Sequence, residues 1–149
     1  MKKTVFLFLC VAFLFACNQS SDNNKVDEHA DHSHAETTVL TLNNGAKWKA
    51  DSITNHNVVG LKTIADNFRI KPFPSANDYQ VLGADLSNGL NKMIQECKMS
   101  GPEHDALHQW LEPVLSETNQ LKKVTDKAVS AKTFKSIDRR IDDYNNYFE

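Results

Sequence analysis

The chain has 149 residues, is 40% hydrophobic and 24% charged, and carries a formal net charge of −2. That length suits one domain, and glycine and proline are too sparse for a low-complexity or collagen-like chain. The near-neutral charge speaks against a nucleic-acid binder that works by neutralising phosphates. No Ser/His/Asp triad spacing, Gly-rich nucleotide loop, HExxH or c-type haem attachment motif is present, so the sequence points away from an enzyme.

Lys2 and Lys3 open the chain, and Val5 to Ala16 is an unbroken apolar run of twelve residues. As a helix it would cover about 18 Å, short of a hydrocarbon core of about 30 Å, which marks it as an export leader rather than a span. It ends in Leu14-Phe15-Ala16-Cys17, which resembles the lipobox of bacterial lipoproteins. The resemblance implies cleavage before Cys17 and lipid on its sulfur and new amino group. Three acyl chains exceed the two signals needed for a stable membrane anchor. Asn18 follows the cysteine where that family uses Asp for inner-membrane retention, which implies the outer membrane. Cleavage at that point leaves 133 residues with a net charge of −4, and Cys97 as the one remaining thiol. No intrachain disulfide is then possible, although the compartment permits one.

Residues 17–37 read as a lipidated, flexible tether. From Asn18 to Glu36 only Val26 is a large apolar residue, too little to drive folding. Within it, His29, His32 and His34 stand among Asp27, Glu28, Asp31 and Glu36, a density suited to weak capture of copper, nickel or zinc.

Residues 38–149 read as an all-α domain, an up-down four-helix bundle preceded by a small β-hairpin. Asn44-Gly45 between alternating apolar residues is the hairpin signal, with Leu40, Leu42, Ala46 and Trp48 expected on one face. Asp51 or Ser52 caps the first predicted helix, with Ile53, Leu61, Ile64 and Phe68 along its stripe. Ser75-Ala-Asn-Asp78 resembles a capping box and opens a second helix striped with Tyr79, Leu82, Leu86, Leu90, Met93 and Cys97. Pro102 begins a third, with Leu107, Leu111, Val114, Thr118 and Leu121, and Pro113 is expected to kink it. Phe134, Ile137, Ile141, Tyr144 and Phe148 mark a fourth. Gly60, Gly83 and Gly89 are expected to let helices approach closely. Trp110 is expected in or near the core, and His56 on the surface or packed beside it.

The segment Cys97-Lys-Met99-Ser-Gly-Pro-Glu-His104-Asp-Ala-Leu-His108 carries the chemistry. His104 and His108 are one helical turn apart and share a face, which coincides with the core stripe. A tight turn brings Cys97 beside them, with Met99 between. One thiol, two imidazoles and a thioether form a mixed soft and borderline ligand set, suiting copper first and zinc next. The topology also gathers Trp48, Tyr144, Tyr147 and Phe148 at this end of the bundle.

The pattern C-x-M-x-G-x-x-H-x-x-L-H-x-W-L-x-P, after the Leu42–Trp48 hairpin, is similar to a group of small bacterial lipoproteins over roughly residues 38–149. That resemblance implies heavy-metal handling. The reading is an envelope lipoprotein that holds copper or zinc as chaperone, buffer or sensor through Cys97, His104, His108 and, more weakly, Met99. Its partners would be the membrane and a metal-transport or envelope protein. The alternatives are a non-catalytic envelope adaptor whose Cys and His are core residues, and a b-type haem bundle with Met and His axial ligands.

Overall fold

The computed structural model describes residues 39–149. Four helices follow one another: α1 (Ser52–Arg69), α2 (Ala76–Glu96), α3 (Pro102–Leu121) and α4 (Lys127–Tyr147). Each packs on its chain neighbour, α4 returns to α1, and α2 meets α4 across the diagonal. The short links make this an up-down bundle, with helices about 30 Å long. Among the described residues, no helix is long and apolar enough to cross a membrane. The leader, Cys17 and the tether histidines His29, His32 and His34 lie outside the described residues.

Local chemistry sets the helix ends. Asp51 caps α1, its side chain accepting from the Thr54 N–H. Ser75 and Asp78 form the full reciprocal capping box of α2. Lys71 adds an ion pair of 2.7 Å to Asp78, which, with the Ser75 donors, holds that carboxyl well below its ordinary range. Pro102 occupies the first turn of α3 and Asp126 caps α4. Pro113 sits inside α3, and the helix runs through it as one element.

The core follows the expected stripes of α2, α3 and α4. Leu82, Leu86, Leu90, Met93, Leu107, Leu111, Val114, Leu121, Ile137, Ile141, Tyr144 and Phe148 are all buried, and Trp110 joins them. Its indole N–H donates to the Arg140 carbonyl at 2.8 Å. Helix α1 departs from expectation. Its buried line is Thr54, Asn57, Val58, Leu61 and Ala65, while Ile53, Ile64 and Phe68 are only half-buried. Of the two polar residues in this line, Asn57 bonds to Glu96 on α2, while the Thr54 hydroxyl has no partner among the described residues.

The glycines divide in the same way. A Cβ on Gly83 would meet the Lys122 backbone nitrogen at 2.9 Å, and one on Gly89 would meet Leu61 Cδ2 at 2.7 Å. Both allow close helix approach. Gly60 faces open space, so packing gives no reason for it.

No strand forms among the described residues. Asn44 and Gly45 make the two-residue turn with positive φ at both positions, and Asn43 and Ala46 exchange both hydrogen bonds at 2.9 Å. Pairing stops there: Leu42 and Ala46 are exposed rather than sharing a buried face. The chain finds a different partner. Trp48 N–H donates to Tyr147 O, Glu149 N–H to Trp48 O, and Ala50 N–H to Glu149 O, at 2.7 to 3.0 Å. A parallel bridge between Trp48 and Phe148 thus clamps the start of the domain to its last residues.

Candidate metal centre at the polar end of the bundle

The end of α2 and the start of α3 meet at residues 97–104. Cys97 caps α2 in an extended conformation, its N–H bonded to Met93 O. Gly101 then takes φ +71, a left-handed geometry that suits glycine and turns the chain into α3. Two contacts from α1 hold this turn in place. Asp51, already capping α1, accepts the Lys98 N–H at 3.0 Å through its second carboxylate oxygen. Asn57 donates to Glu96 at 2.9 Å. Burial tends to raise the Asp51 carboxyl, but N–H donors from Thr54 and Lys98 outweigh it and leave the group lowered. The sequence offers Asp51 only as a cap and gives no sign of either contact.

Tyr144 approaches from α4. It is buried, and its hydroxyl donates to Asn55 at 2.9 Å. Burial, followed by the negative forms of Asp51 and Cys97 nearby, pushes its phenol upward. Tyr144 also stacks on Phe148 at 4.7 Å and meets Trp110 edge-on at 5.0 Å. Thr54 is fully buried, and its Oγ1 has no hydrogen-bond partner among the described residues.

His104 is the hub. Its Nδ1 lies 2.8 Å from the Met99 carbonyl and 4.0 Å from Cys97 Sγ. Its Nε2 lies 2.7 Å from His108 Nε2, and the two rings sit 4.5 Å apart. A carbonyl only accepts, so the proton of neutral His104 belongs on Nδ1, and Nε2 presents its lone pair. A backbone carbonyl orienting the far nitrogen of an imidazole is the usual support of a metal-ligating histidine.

The predicted ligands are therefore close together but do not point at one spot. Cys97 and His108 lie at opposite edges of the His104 ring. His104 is half-buried and His108 is exposed, so the shared face turns from the core toward solvent over that one turn. Met99 contributes its carbonyl, while its side chain is half-buried against the core. Among the described residues, no three His, Cys, Asp or Glu side chains surround a common point. His56 is exposed.

Elsewhere, a groove of about 650 Å³ runs between α1 and α2, lined by Ile64, Phe68, Val81 and Leu82 with Lys71 and Asp78 at its rim. It lies away from the Cys97–His108 cluster. No family model, curated protein or solved structure matches this chain.

Proposed function

We propose that this is an envelope lipoprotein that binds a soft or borderline transition-metal ion, copper first and zinc next, as a chaperone, buffer or sensor rather than a catalyst. One observation carries the reading: a single imidazole, His104, has a thiol beside one ring nitrogen and a second imidazole beside the other. Thiolate and imidazole are the side chains that these ions prefer. The site lies at the bundle end where the described chain begins, since Trp48 is paired with Tyr147 and Glu149. In sequence, the cluster His29, His32 and His34 stands just before that point. It fits a capture segment that delivers ions to His104.

The test is metal analysis of the full chain with copper and zinc titrations, alongside His104→Ala. One ion held per chain and lost in the variant supports the reading. Binding that is weak, survives His104→Ala and disappears only when His29, His32 and His34 are replaced overturns it.

One observation favours the adaptor alternative. Phe73 is 94% exposed and takes φ +49 between two prolines, and Ile70 beside it is 82% exposed. A bulky residue held in the left-handed region and touching little is suited to a protein partner. Capture of an envelope protein that depends on Phe73, with no ion at His104, would support that alternative.

A further inference from the structure

We propose that the far end of the bundle, opposite the Cys97–His104 cluster, is a membrane-contact tip: Phe73 and Ile70 insert into the headgroup layer of a bilayer, and nearby lysines engage its anionic phospholipids. This goes beyond the metal-binding reading above and does not depend on it.

This end is made of two links, residues 70–75 between α1 and α2 and residues 122–126 between α3 and α4. They lie side by side: Gln80, in the first turns of α2, donates to the Val124 carbonyl at 3.1 Å, and Gly83 abuts Lys122. Ile70 and Phe73 stand out from the first link almost wholly exposed, and Val129 is exposed in the first turn of α4. Phe73 takes no part in the core, yet its backbone is held in the left-handed region at φ +49. The rings of Pro72 and Pro74 fix φ on either side of it. Strain at a bulky side chain that packs on nothing in its own domain points to a contact outside it. With the backbone already set, less order is lost when the ring is buried elsewhere.

Charge selects the occupant. Taking each link or terminus with its flanking turn, the tip (66–79 and 118–130) holds five Lys and Arg against three Asp and Glu, and the opposite end (39–55, 93–105 and 144–149) holds three against five. At the tip Arg69 and Lys71 are paired with carboxylates, whereas Lys123 and Lys127 are exposed and have no ion pair among the described residues. Free lysines beside protruding apolar side chains suit an anionic bilayer: apolar burial holds the wedge, and the cations meet phosphate. A protein partner fits less well, because two protruding side chains bury far less than the roughly 1,200–2,000 Å² of a stable protein interface. Chain length agrees. Between Cys17 and Val39 stand 21 residues, which fully extended span about 70 Å, against about 30 Å for the bundle. An anchor at Cys17 therefore leaves the tip within reach of the same bilayer.

The experiment places a reporter at the tip of the full chain, so that attachment through the N-terminal segment cannot mimic the result. Phe73→Trp is reconstituted with vesicles of phosphatidylcholine, with and without about one third phosphatidylglycerol, and with and without brominated acyl chains. The emission of the parent, from Trp48 and Trp110, is subtracted. Quenching of the added indole by at least about twofold is expected in the anionic vesicles. It is expected to fall by at least about half in phosphatidylcholine alone, in high salt, and when Lys123→Glu and Lys127→Glu are combined with the reporter. Those two variants should leave urea unfolding unchanged, since both side chains are exposed and Lys127 lies in the first turn of α4, where negative charge is favoured. Absence of quenching in anionic vesicles overturns the proposal. Equal quenching without the anionic lipid and with both lysines replaced overturns it too. An indole untouched by bromine and buried only when a protein binds would give the tip to a protein partner and overturn it as well.

Discussion

The two ends of the bundle are closed by different physics. At the far end, Phe68, Tyr79 and Phe134 meet with ring centroids 5.0 to 6.2 Å apart, and capping residues finish the helices outside them. At the near end Tyr144 and Phe148 also stack, but the turn between α2 and α3 is tied down by polar side chains bonded to backbone and to each other: Asp51 to Lys98, Asn57 to Glu96, Tyr144 to Asn55 and His104 to Met99. Ring packing itself is indifferent to pH, although the Asp78 cap outside it is not. Polar closure places oriented, titratable groups where solvent reaches them. The contrast sets ring packing at one end of a small fold against oriented polar groups that solvent reaches at the other.

The sharpest way to break this contrast is Phe134→Ala. Removing that ring from the aromatic cluster is expected to cost about 3 kcal/mol, read by urea unfolding, with ion affinity unchanged. A comparable loss of affinity would show that the ends are mechanically coupled. Next comes Gly83→Ala, where the added methyl meets the Lys122 backbone rather than a movable side-chain tip. About 1–3 kcal/mol of destabilisation is expected.

At the near end, Asp51→Ala removes both the α1 cap and the tie to Lys98, with an expected cost of about 1–2 kcal/mol. Unlike Phe134→Ala, it should also weaken ion binding, because the 97–99 turn loses its support. The same carboxylate supplies the pH test. Its folded pKa lies below the unfolded value, as do those of Asp78 and Asp142. For Asp142 the causes are the Lys62 hydrogen bond, opposed by burial, and then Arg69. Such groups contribute stability that is complete above the unfolded value of about 3.9 and is lost as pH falls through the folded one. Unfolding midpoints should therefore be flat near neutrality and drop below about pH 4, with a smaller acid loss in Asp51→Ala. The smallest effect expected is a gain: Gly60→Ala, facing open space inside α1, should stabilise by about 0.5–1 kcal/mol.

Much of this was legible because its signals are local. The capping box at Ser75 and Asp78, Pro102 in the first turn of α3, and the apolar lines of α2, α3 and α4 depend on neighbours within a turn or two. The α1 line misled because Thr54 and Asn57 occupy buried positions, Asn57 for a reason that lies on another element. Asn57 needs Glu96, 39 residues away, and hydrophobic spacing carries no trace of such a partner. The hairpin stops at one bridge for a related reason. Its turn formed as expected, but the chain after it bonds to residues 147–149, which compete for the same backbone groups. At the site, spacing correctly placed His104, His108 and Cys97 together. The direction of each ring nitrogen was not readable, because it follows from where the Met99 carbonyl points after the Gly101 turn.

Along the α1–α4 seam, Arg69 pairs with Asp66, Asp138 and Asp142, and Lys62 reaches Asp142 at 2.8 Å. These partly exposed pairs are worth little individually. At the near end that seam is closed by the Tyr144–Asn55 hydrogen bond and by the backbone clamp between Trp48 and Glu149. Most helix contacts join chain neighbours and can form early, whereas this clamp shuts a loop of about 100 residues and bears the largest closure entropy in the domain. It should form last during folding and open first in the native state. The amides of Trp48, Ala50 and Glu149 should then exchange with solvent hydrogen ahead of the helix interiors. Rare opening of this kind would give the buried face of the Cys97–His104 region brief access to water without unfolding the bundle.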